Sequence, residues 1–276
     1  MMDFSSIHKH YIKKSSIAAI ALMAMTCPIA CHDAKAGKDN SSDTELEARP
    51  DEELSRLMKS ISEGDAKTFA SICVYPVKRP YPLKDIADST AMADYFPVMI
   101  DDSLRSAMQD ATLDDWESYG WRGWSMSKGT PIWYDEGVQY VTYLSPAERG
   151  LRRLLAREEI QSLSPEYRDG WEPVMTLLSA DRKKLFRIDS KGDQMRLMAF
   201  DAPFRGNEKP AMMMMGKMTQ EGSGDYTVYG FNDADGLAAE YAPDAEPPVK
   251  IIFTSPSAPE DGVEVYPAYW RDEVRY

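Results

Sequence analysis

Apolar residues recur along this chain at two different periods, and the change of period divides it. From Asp51 the spacing is helical. Leu54, Leu57, Met58 and Ile61 fall three or four residues apart until Gly64, with Asp51 as the expected cap. Asp65 is placed to cap a short second helix through Phe69 and Ile72, and Val74 to Val77, with Pro80 and Pro82 beyond, predict an edge strand or loop. Met92, Tyr95, Phe96, Met99, Ile100, Leu104 and Met108 then make a helical stripe that Pro97 should kink or divide.

Residues 119–126, 131–134 and 138–144 alternate instead and predict strands, separated by turns at Gly129 and Gly137. Ser145, Pro146 and Glu148 form the sharpest local signal: a capping box with proline at the first helical position, opening a helix through Leu151, Leu154, Leu155, Ile160 and Leu163. Beyond Ser164 strands are predicted at 174–178, 185–189, 194–201, 211–220, 226–231, 249–255 and 263–270. The fold class is therefore α+β, with an α+β domain over 51–163 and a β-rich domain over 164–276. The second is expected to be an antiparallel meander, sandwich or small barrel.

The first 50 residues follow neither period. Lys9, Lys13 and Lys14 precede an uncharged stretch over 15–31, shorter and more interrupted than a membrane span, in the order of an export signal. Two cut sites compete. Ala34-Lys35-Ala36 before Gly37 suits simple cleavage, whereas Ala30 before Cys31 suits lipidation of that cysteine, with residues 1–31 as signal peptide. Residues 32–50 are polar and carry Gly37, Asn40, Ser41, Ser42 and Pro50, as a flexible tether would. The expected location is the bacterial cell envelope, as a lipoprotein with no other membrane contact, or else the periplasm or medium.

Composition then narrows the chemistry. Against 32 basic residues stand 45 acidic ones, a net charge of −13 over 276 residues, which disfavours nucleic acid and anionic membrane surfaces as partners. His8, His10 and His32 are the only histidines, so loss of the leader removes nearly all histidine-based catalysis and metal binding. Cys73, within an apolar run, is expected to be a core residue.

The stretch from Leu54 to Pro76, with its Gly64-Asp65-Ala66 break followed by Phe69, then a long helix and an aromatic hairpin, resembles the start of the nuclear-transport-factor-2-like (SnoaL-like, ketosteroid-isomerase-like) superfamily. The resemblance covers about 95 residues, 51–145. It implies a curved antiparallel sheet wrapped by helices around a pocket, in a superfamily that hosts both enzymes and non-catalytic binding modules. No catalytic position matches residue by residue. The helix over 145–163 departs from the family, which continues with strands, and residues 164–276 look like a separate β module of exported proteins from gut-type bacteria.

Chemistry-bearing clusters are few. Trp116, Tyr119, Trp121, Trp124, Trp133 and Tyr134, with Tyr140 and Tyr143, form an aromatic cluster that either packs both sides of a sheet or supplies a stacking platform for a ligand. Met212 to Met215 suggest Cu(I), but alternation splits the sulfurs between faces, so they are expected to fill a central strand buried on both sides. Asp233, Asp235 and Gly236 fail as an EF-hand because Phe231 and Ala242 occupy ligand positions. No glycine-rich phosphate loop is present, and neither metal nor cofactor is expected. The function expected is a non-catalytic binding or interaction module for an envelope glycan, a peptide or protein partner, or a small apolar ligand. The alternative is a pocket enzyme using carboxylates and tyrosines, of isomerase or glycoside hydrolase type.

Overall fold

Four short helices come first, each begun or ended by an identifiable device. Helix α1 (Asp51–Glu63) carries Asp51, Glu52 and Glu53 in its first turn, where carboxylates meet the positive end of the helix dipole. Asp51 is thus the first helical residue rather than the cap, a position held by Pro50 without a side-chain bond. Leu54, Leu57 and Ile61 are buried, each worth about 1.5–3 kcal/mol. The helix ends at Gly64 in the left-handed conformation. Asp65 caps α2 (Ala66–Ile72) by accepting from the Thr68 N–H at 3.1 Å. Asp88 and Asp101 cap α3 (Ser89–Met99) and α4 (Asp102–Gln109) in the same way. Pro97 stays inside α3, and the stripe divides after Met99, where Asp101 restarts the chain.

The structure is a computed structural model that describes residues 49–274 apart from 121–122, 127–131, 222–225, 244, 246 and 256–257. The export signal, Cys31 and the tether over 32–48 lie outside the described residues. Strands β1 (Trp116–Ser118), β2 (Trp124–Met126), β3 (Ile132–Tyr134) and β4 (Val138–Val141) form an antiparallel sheet in sequential order. Gly123 is required there, because a Cβ at φ +83° would lie 2.3 Å from the Tyr134 carbonyl oxygen. The expected capping box opens α5 (Pro146–Ser162): Ser145 Oγ accepts from the Glu148 N–H at 3.0 Å, and Glu148 accepts from the Ser145 N–H at 3.2 Å.

The remaining strands are β5 (Glu172–Ser179), β6 (Lys184–Lys191), β7 (Gln194–Asp201), β8 (Met212–Glu221), β9 (Tyr226–Asn232), β10 (Ala238–Tyr241), β11 (Lys250–Ser255) and β12 (Ala258–Ala268). They run antiparallel, and β12 returns to pair with β5, closing a barrel. Closure leaves no edge strand to aggregate. Phe186, Ile188, Leu197, Met214, Phe231 and Ile251 fill its interior. On the outer wall, Leu178, Leu185, Met198 and Phe200 are covered by Ile160 and Leu163 of α5 and its end, and by Trp270 of the last helix, α6 (Trp270–Glu273). All described residues belong to one compact unit, Leu46–Tyr276. No helix among them is long and apolar enough to cross a membrane.

The methionine run corrects one expectation. Met214 is buried inside the barrel, but Met213 and Met215 stand 47% and 41% exposed on the outer wall. The strand is buried on one side only. Cys73 is partly buried and its thiol is pushed up to about 12 by burial, which makes it a poor nucleophile at neutral pH.

Candidate functional site

The four-stranded sheet sorts the aromatic cluster by face. Residues paired across strands share a face, so Trp116 with Met126, and Trp124 with Tyr134, point one way. Trp116 and Tyr134 are buried there, and the Trp116 indole N–H reaches the Met58 sulfur of α1 at 3.4 Å. Trp124 is part-exposed at the same sheet face. Trp121 lies outside the described residues.

The other face is open at its outer strands, while Ser125 at its centre is buried. Glu117, Ser125, Trp133 and Tyr140 pair successively across all four strands and make one row. Tyr119, just beyond β1, lays its ring against Trp133 with centroids 4.8 Å apart and planes tilted by 60°. Tyr119 is 48% exposed and Tyr140 42%, while Trp133 is half-buried. The offset ring pair is a favourable aromatic geometry, and its partner ring holds Tyr119 in place without covering it. A register shift between Trp133 and Tyr134 puts Tyr140, rather than a neighbour, opposite Trp133. The carboxylate in this row, Glu117, is exposed. Of the aromatic residues singled out in the sequence, the structure therefore brings Tyr119, Trp133 and Tyr140 together at the surface and sends Trp116 and Tyr134 into packing.

Two clusters of buried charge were invisible as motifs. In the first, Arg187 and Asp189 of β6, Arg196 of β7 and Glu159 of α5 meet between the barrel wall and its covering helix, all at most 2% exposed. Asp189 accepts from Arg187 Nε at 2.7 Å and from Arg196 Nη2 at 2.6 Å. Glu159 sits 3.4 Å from Arg187 Nη1 and accepts from the Tyr81 hydroxyl at 2.9 Å. Indole faces cover both guanidinium groups, Trp270 on Arg187 at 4.8 Å and Trp171 on Arg196 at 4.4 Å. In the second, Arg79 binds Glu148 through Nε at 2.9 Å and also the carbonyls of Val141 and Tyr143, tying the loop before α3 to β4 and the start of α5. The available sequence signal was weak: a charged residue at every second position of a strand is what a solvated barrel face also shows.

Burial pushes the Glu159 carboxyl up to about 7 from 4.5, with Arg187 and Tyr81 opposing the shift and Asp189 adding to it. The folded state thus holds this proton more tightly than the unfolded chain. Its contribution is fully present below pH 4.5 and is lost as pH rises through 7, by on the order of 3 kcal/mol. Glu148, raised chiefly by burial, acts in the same direction. Glu159→Gln retains an acceptor for Tyr81 and is expected to remove the Glu159 part of this slope. Urea unfolding at pH 4.5 and 8 measures it; a slope unchanged from the parent would contradict the assignment.

Comparison of the chain with protein-family models, with curated proteins and with solved structures finds no match. The chemistry of the chain's own surfaces therefore carries the functional argument.

Proposed function

We propose that this protein is a non-catalytic glycan-binding module of the bacterial cell envelope, exported behind residues 1–31, lipidated at Cys31 and held off the membrane by the 32–50 tether. The open ring pair of Tyr119 and Trp133, with Tyr140 beside it, is the observation that carries this reading. Sugar rings present C–H faces that pack on aromatic faces, while their hydroxyls stay in water, so an exposed, rigid, part-polar aromatic surface suits them. Binding is favoured over proton transfer by the setting of the buried carboxylates. Glu148 and Glu159 are enclosed by Arg79, Arg187 and tyrosine hydroxyls, as structural ion pairs are, whereas the carboxylate on the open face is solvated. A catalytic acid needs contact with substrate.

The test is a titration of envelope polysaccharides and cell-wall fragments against the parent and the Tyr119→Ala and Trp133→Ala variants. Each variant is expected to weaken binding about tenfold, on the order of 1.4 kcal/mol, with its thermal midpoint changed little for Tyr119→Ala. Equal affinity for parent and both variants would overturn the proposal. Mass spectrometry of the exported protein tests the anchor: a diacylglyceryl group on Cys31 is expected, and a free N-terminus at Gly37 would refute it.

A further inference from the structure

A groove of about 960 Å³ beside the end of α5, lined by Glu158, Gln161 and Ser162 and by the 203–207 loop, has an unexpected charge. In a chain of net charge −13, its lining holds Arg168, Arg205 and Arg271 against a single acid, Glu158. Arg271 is engaged with that glutamate at 3.2 Å. Arg168 is aimed by its own bonds, donating from Nε to the Leu163 carbonyl at 2.7 Å and from Nη1 to Gln161 at 3.3 Å. The exposed Arg205 guanidinium has no protein partner among the described residues.

The loop that presents Arg205 is held in shape. Phe204 is buried in the cluster beneath, and Ser164 Oγ donates to the Asn207 carbonyl at 2.5 Å. Between them Gly206, at φ +75°, packs so closely that a Cβ would lie 3.0 Å from Val274. The Arg205 backbone N–H is itself bound to Glu208 at 3.2 Å. A free guanidinium on a fixed loop, lining one groove with a second guanidinium held by bonds and with Pro203 and Phe204, suits an oxyanion carried on an apolar body.

We propose that this groove is a binding site for a small organic oxyanion, a carboxylate or phosphate ester whose charged group pairs with Arg205 and Arg168 while its apolar part covers Pro203 and Phe204. Guanidinium forks match both oxyanions in geometry, and the groove has room for a ligand of sugar or aryl size. The groove shares no lining residue with the aromatic face, so either proposal can fail alone.

Benzoate and phenyl phosphate serve as probes for the two oxyanion sources, with benzyl alcohol and inorganic phosphate as the charge-free and body-free controls. In ¹H–¹⁵N spectra of the protein, saturable shifts are expected at residues 161–164, 166–168, 204–207 and 271 with at least one of the two probes. Arg205→Gln is expected to weaken that probe about tenfold, whereas Arg153→Gln, an exposed arginine on α5 outside the groove lining, leaves it unchanged. Both controls should bind at least fivefold more weakly. No saturable binding up to millimolar probe, equal losses in the two variants, or inorganic phosphate binding as well as phenyl phosphate would overturn the proposal.

Discussion

Asp189→Asn is expected to lower the free energy of unfolding by about 3–5 kcal/mol, the cost of removing one partner from a buried ion cluster. The carboxylate is fully buried and holds two arginines at once, accepting from Arg187 Nε at 2.7 Å and from Arg196 Nε at 2.9 Å. Asparagine matches its shape, so packing is conserved and the effect is electrostatic. The new amide has one oxygen for two guanidinium groups and turns an N–H₂ donor toward one of them. The remaining acid, Glu159, is drawn toward its neutral form by burial and compensates poorly near neutral pH. Arg187 Nη2 already lacks an acceptor among the described residues, so no spare hydrogen bond is available to absorb the loss. Denaturant unfolding at pH 7 measures the change. Because the cluster is shielded from solvent, the loss should persist in 1 M salt, where exposed ion pairs are screened. A loss under 1 kcal/mol would mean that the barrel wall tolerates uncompensated arginines.

A comparable loss is expected from Arg79→Met at the other end of α5. Arg79 is buried, and its guanidinium donates to Glu148 at 2.8 Å and to the carbonyls of Val141 and Tyr143 at 2.5 and 2.8 Å. Methionine fills much of the space but leaves a buried carboxylate, the buried Val141 carbonyl and the part-buried Tyr143 carbonyl without this donor, at a cost of about 3–5 kcal/mol. Adding Glu148→Leu should recover part of this, since the unpaired charge is then gone. Recovery should be incomplete, because Glu148 also accepts from the Ser145 N–H in the capping box and from the Tyr95 hydroxyl. The double-mutant cycle on thermal or urea unfolding reads the coupling directly. Additive losses would show that Arg79 acts through the carbonyls alone.

These two clusters also explain how far the sequence could be followed. The α5 start was plain, because Ser145, Pro146 and Glu148 bond to each other's backbone and need nothing from elsewhere. The same Glu148 carboxylate, however, completes its coordination with Arg79, 69 residues away in the chain, and no local pattern predicts that partner. Strand β10 is absent from the strands the sequence predicts because Ala238–Tyr241 is short and lies in a segment of alanines and acids, where pairing with β9 and β11 overrides weak intrinsic preference. Arg187 and Asp189 alternate with Phe186 and Ile188, as on any half-solvated strand; only α5 lying over that wall turns the polar face into an interior one.

The aromatic row shows the same boundary. Alternation alone separates Tyr119 from Trp116, but the pairing of Trp133 with Tyr140 depends on a register shift across the β3–β4 turn. The sequence by itself determined the stop at Gly64, the caps at Asp65 and Ser145, the change from period 3.6 to period 2 after the first helices, and the acidic, histidine-poor chemistry of everything beyond residue 32. Those are properties of neighbours in the chain, set by backbone hydrogen bonding and side-chain periodicity within a few residues. Only the tertiary structure decided that the second half closes as a barrel, that Glu159 meets Arg187, and that Arg168, Arg205 and Arg271 converge on one groove. Burial and charge pairing depend on what lies against a face, and that is settled by contacts between segments far apart in sequence.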